Sequence, residues 1–176
     1  MIITDLDVLR GGLLLCLAGA GIWDLRSRRV PNRWVAFWYG AGLCISACGG
    51  VAAAGGYLGR SLVVTAVFFP LFLCRMLGAG DIKSMALICG YLGFSSGIRA
   101  IGAGLALASV WGIIELKRRR ILWDRLRYLV AYLGRVCREK RAVIYHGEGG
   151  DGERAAIPLV AFLFLGLIAL YLMKAI

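Results

Sequence analysis

Long apolar runs, separated by short polar breaks, organise this chain. They cover about Val8 to Trp23, Trp34 to Val51, Ser61 to Leu77, Asp81 to Gly97, Arg99 to Leu116 and Ile157 to Met173. A helix needs about 20 predominantly apolar residues to cross a bilayer. The pattern therefore predicts an all-α membrane protein, a bundle of six transmembrane helices. Pro70 predicts a kink in the third run. Arg10 and Arg75, near the ends of their runs, can snorkel to the interface.

Residues 115–155 break the pattern and are too polar to span. Their apolar positions 122, 126, 129, 130 and 133 follow helical spacing among arginines. That predicts a basic, amphipathic segment between the fifth and sixth helices. It either lies on the inner leaflet or packs on the bundle, and both readings stay open. Residues 146–153 read as a loop. It holds the one histidine, His146, to which no role is assigned. Nothing marks a repeat or an interdomain linker, so residues 1–176 form a single membrane domain.

Composition agrees: 60% of the residues are hydrophobic and 25 are glycine, which lets membrane helices approach closely. The net charge of +11 adds an orientation. If the loop after the first run faces the cytoplasm, seventeen of the 21 Lys and Arg residues lie inside. Positive charge favours the cytoplasmic side, so both termini are expected outside. The same charge without a nucleic-acid-binding motif argues against a nucleic-acid partner. Asp5 and Asp7 precede the first run, where a removable signal peptide carries positive charge. The six cysteines include no C-x-x-C pair, so no metal site is expected.

The candidate chemistry sits in two aspartates. Asp24 follows the first run, in Trp23-Asp24-Leu25-Arg26-Ser27-Arg28-Arg29-Val30-Pro31-Asn32; Asp81 stands in Gly78-Ala79-Gly80-Asp81-Ile82-Lys83. A carboxylate at a membrane edge is costly unless solvated or paired, which makes it a functional candidate. The charge count places both on the cytoplasmic side. Two close carboxylates share a proton: one draws a proton from water, the other protonates the carbonyl that the water attacks. This chemistry requires no metal and no bound cofactor. Asp81 is expected to cap the fourth helix. Gly78 and Gly80 are expected to permit unusual backbone angles and leave space beside it. Pro31 stiffens the first loop and Asn32 can cap the second helix. Lys83 either tunes the pair, binds substrate or snorkels. Asp24 stands at a helix end that disfavours its charge, Asp81 at one that favours it. That asymmetry makes Asp24 the expected proton holder and Asp81 the expected base.

Asp24 with Arg28-Arg29-Val30-Pro31-Asn32, followed by Gly78-Ala79-Gly80-Asp81-Ile82-Lys83, resembles the type IV prepilin peptidase family. The resemblance implies an intramembrane aspartic endopeptidase of the Gly-x-Gly-Asp type, with Asp24 and Asp81 catalytic. It implies removal of the basic leader of prepilins or prepilin-like pseudopilins at the cytoplasmic face of the cell membrane. It covers the helical core and is weak over residues 115–155. The chain lacks the Cys-paired N-terminal region that accompanies N-methylation in larger members, so methyltransferase activity is expected to be absent. A basic leader and a basic cytoplasmic face repel, so Glu115, Asp124, Glu139, Glu148 or anionic lipid must help hold it. A proton-coupled transporter or a non-catalytic pilus-assembly scaffold are the alternatives. The few polar groups along the runs weigh against the transporter.

Overall fold

The structure is a computed structural model describing residues 3–27 (backbone only for 3–7), 30–74, 76–124, 126, 127, 130, 131, 134 and 157–173. Its long elements are α1 (Ile3–Ser27), α2 (Asn32–Cys48), α3 (Val51–Leu73), α4 (Ala79–Leu92), α5 (Phe94–Arg118) and α6 (Leu159–Leu172). No strand occurs among the described residues. The breaks follow backbone chemistry. Pro31 precedes α2, and its carbonyl accepts from Trp34 N and Val35 N at 3.1 and 3.3 Å. Gly50, at φ +106, separates α2 from α3, and Gly93, at φ +83, separates α4 from α5. Side chains rarely adopt such angles, so glycine ends the helix there.

Helix α4 forms the centre. Ile82 and every residue from Ser84 to Tyr91 are buried. Helices α1, α2, α3, α5 and α6 all pack against it. A helix apolar on all sides is one enclosed on all sides. Polar tethers tie α4 to its neighbours. Ser61 Oγ donates to Ala86 O (3.1 Å) and Tyr91 Oη to Trp38 O (2.6 Å).

Three helices among the described residues are long and apolar enough to cross a membrane: Val8–Ser27, Val51–Leu73 and Phe94–Arg118. Helices α2, α4 and α6 have 17, 14 and 14 residues. Fourteen residues rise about 21 Å, against a hydrocarbon core of about 30 Å. Several boundaries differ from the sequence expectation. The first helix continues through Asp24 to Ser27. The third begins at Val51, ten residues early, because Val51-Ala52-Ala53-Ala54-Gly55-Gly56 is small-residue helix that hydropathy underweights. The fourth and fifth meet at Gly93 instead of Gly97. Pro70 lies inside α3, three residues before its end.

Beyond α5, residues 122–124, 126, 127, 130, 131 and 134 are helical, and Trp123, Leu126 and Val130 are exposed. Glu139, His146, Glu148 and Cys137 lie outside the described residues, as do Arg28, Arg29 and Arg75.

Helix α6 is held by backbone contact with α5. A Cβ on Gly166 would overlap the Gly104 backbone, and one on Gly104 would come within 2.7 Å of Leu163 Cα. Backbone cannot yield as a side chain can, so overpacking here costs about 1–3 kcal/mol. Gly166→Ala is expected to lower the thermal midpoint in detergent by several degrees. Gly102→Ala, with no atom within 4 Å of the added carbon, is expected to leave it unchanged. Equal midpoints for the two variants would refute the close crossing.

Candidate active site

Asp24 lies in the last turn of α1, with only 7% of its surface exposed. Its Oδ2 accepts a 3.0 Å hydrogen bond from Val160 N. Val160 belongs to the first turn of α6, which follows Pro158. First-turn N–H groups have no partner within their own helix, and the helix dipole there attracts an anion. The sequence placed Asp24 at a helix end unfavourable to its charge, which holds for α1 alone. The start of α6 meets the same carboxylate from the other side. Sequence reasoning missed this contact; Pro158, just ahead of an apolar run, was the available signal of a helix start.

Asp81 is the third residue of α4, whose N-cap is Gly78. It is therefore not the cap itself, as expected, but reaches back to it. Its Oδ2 accepts from Gly78 N at 3.0 Å, one half of a capping box. The expected unusual backbone angles are not found. Gly78 has φ −77, and Gly80 is not among the positive-φ glycines. Gly78 serves by size, since a Cβ there would stand 3.0 Å from Asp81 Oδ2. Gly80 faces Val30, whose Cγ2 would lie 3.6 Å from an added Cβ, an ordinary contact.

The loop from α1 to α2 docks on this same end of α4. Val30 packs beside Gly80, and Lys83 Nζ donates to Asn32 Oδ1 at 2.8 Å. Asn32 is the first residue of α2 and Pro31 its N-cap position, so the expected Asn32 cap gives way to this bridge. Lys83 is a tie between loop and helix. Trp34, in the first turn of α2, fixes the loop's far side. Its Nε1 donates to Cys16 O at 3.0 Å, and its ring fills the space a side chain at Gly19 would need. Trp23 meets it at 5.1 Å between ring centroids. Of the local acids considered for leader binding, Glu115 already pairs with Arg119 at 2.8 Å.

Asp81 lies at the rim of the bundle, outside the three long spans. Burial pushes its carboxyl up to about 6; the Gly78 N–H opposes that shift and the charge of Asp24 adds to it. The two carboxyl groups therefore sense each other. The shift favours the neutral form of Asp81 by about 3 kcal/mol. Asp81 is thus inclined toward holding a proton, the role expected of Asp24 from the sequence. No three His, Cys, Asp or Glu side chains gather among the described residues as a metal site would need.

The loop that follows the helix of Asp24 is thus seated on the first turn of α4, which holds Asp81. The sequence profile of the type IV leader peptidase family matches residues 12–170. The chain belongs to the type IV leader peptidase family. No curated protein and no solved structure gave a match. Family membership makes it a peptidase, and its three long apolar helices fit a membrane-embedded one.

The Asp81 carboxyl sits above the ordinary value of 3.8 in the folded protein, so ionising it costs the fold stability. That cost is absent below the unfolded value and complete above the folded one. Asp81→Asn avoids it while keeping an acceptor for Gly78 N–H. Thermal unfolding in detergent is expected to show the variant more stable than wild type above about pH 6.5. The difference should shrink toward pH 4, the window set by the carboxyl's two values. A difference independent of pH would count against the buried acid.

Proposed function

We propose that this leader peptidase is an aspartic endopeptidase that removes the basic leader of prepilins or prepilin-like proteins, with Asp24 and Asp81 as its catalytic dyad. The observation that supports this reading is the setting of the two acids: Asp24 is buried in the last turn of α1 against Val160 N, and Asp81 stands in the first turn of α4, where Gly80 meets Val30 of the loop that follows α1. Asp24 then acts as the base. It takes a proton from water, and the oxygen adds to the scissile carbonyl carbon. Asp81 gives its proton to the carbonyl oxygen. Collapse of the tetrahedral species breaks the C–N bond as a proton passes to the departing amine. No step uses a metal or cofactor.

In the membrane, α2, α4 and α6 complete a six-helix bundle around the three long spans, with both termini outside. The charge distribution supports that orientation, since the aspartate end carries Arg26 and Arg33 and the basic stretch from Lys117 to Arg120. The dyad then faces the cytoplasm, where leaders are displayed. N-methylation of the new terminus is not part of the proposed activity, as no C-x-x-C pair occurs in the 176 residues.

Asp24→Asn and Asp81→Asn are each expected to reduce leader removal from a co-expressed prepilin by at least about a hundredfold, read by mass spectrometry. Both variants should still accumulate in the membrane. Near-wild-type cleavage by either one would sink the dyad.

A further inference from the structure

The other end of α4 holds a second polar feature that leader cleavage does not use. Arg60 is the tenth residue of α3, well inside a helix long enough to span the membrane. A cation at such a depth is costly unless it faces a cavity or a partner. Among the described residues, Arg60 Nη2 donates to Gly90 O, near the C-terminus of α4, at 3.1 Å. Its Nε is buried and finds no hydrogen-bond partner among them. Nη1 folds back over Gly56, 3.0 Å from where a Cβ would stand. A guanidinium offers five N–H groups, and the bond to Gly90 uses one of them.

Beside it opens a cleft of about 200 Å³, lined by Leu9, Ile45, Ser46, Ala53, Arg60 and Tyr91, with Gly49 and Gly90 at its edges. None of these residues is acidic, so the lining supplies no counter-ion. Ser46 adds a hydroxyl on the wall formed by α2. On α3, Val63, one turn on from Arg60, is 47% exposed. An acyl chain can lie against that outward surface while a polar head enters the cleft.

We propose that this cleft binds the phosphate of a phospholipid headgroup, held by the free N–H groups of Arg60 with the Ser46 hydroxyl beside it. A planar guanidinium matches a phosphate's paired oxygens, and a site shielded from water strengthens the attraction. The lipid phosphate supplies the negative charge that the cleft lining does not. The site lies at the opposite end of α4 from Asp81, about 14 Å along the helix, and does not depend on the dyad.

The test uses the full chain in neutral detergent, titrated with phosphatidylglycerol and with diacylglycerol, and read by native mass spectrometry. Phosphatidylglycerol is expected to bind and diacylglycerol, which lacks phosphate, is not. Arg60→Gln should weaken phosphatidylglycerol binding at least about tenfold. Ala53→Leu, which fills the cleft but leaves the Arg60–Gly90 bond in place, should do the same. Thermal unfolding confirms that each variant is folded. Equal binding by wild type and Ala53→Leu overturns the proposal, whatever Arg60→Gln does to the fold. Displacement of the lipid by millimolar inorganic phosphate overturns the lipid assignment and gives the cleft to a soluble anion.

Discussion

A helix buried inside a protein must still satisfy the backbone groups at its two ends. Helix α4 has 14 residues and packs against five other helices. Its start is open and its finish is buried. At the start, beside the exposed Gly78 and Ala79, Asp81 turns its carboxyl back to Gly78 N–H. At the finish, Arg60 reaches across from α3 to Gly90 O. An orphaned backbone group in apolar surroundings costs several kcal/mol, so it is at the buried end that a tether matters most to the fold. Both side chains carry chemistry that capping alone leaves unspent. Asp81 is a neutral-leaning acid beside a second carboxyl, and Arg60 is a cation with donors to spare.

The aspartate end shows how much of such a site lies in the turns around it. Val30, Pro31 and Asn32 have structural work of their own. They seat the first loop on the start of α4, through Val30 against Gly80 and Asn32 with Lys83. The tryptophan pair at 23 and 34 and the Trp34–Cys16 bond hold α1 and α2 in step above that loop. The helices that carry the two carboxyl groups are thus fastened to the same loop and to its neighbour α2 by several separate contacts.

Much of this could be read from the string. Apolar runs and glycines gave an all-helical membrane bundle, and the two acids stood out because charge is rare at such positions. The turn residues that the sequence singles out have jobs in the fold other than the ones expected of them. Gly78 is needed for room instead of backbone angle, and Asn32 serves Lys83 instead of capping α2. These outcomes depend on which loop lies over which helix, and local pattern does not encode that. The setting of Asp81 was hidden for a related reason. Burial raises its carboxyl, and no sequence rule reports how deeply a side chain sits. The early start of α3 was missed because alanine and glycine score weakly for hydropathy yet pack well.

The bond from Val160 to Asp24 joins positions 136 residues apart, linking α1 to α6. A ribosome delivers Asp24 long before Val160. A nascent chain that stops short of α6 therefore holds both acids but not the backbone amide that meets Asp24. The setting of this buried carboxyl is thus completed late in synthesis, after the helices between α1 and α6 have been made.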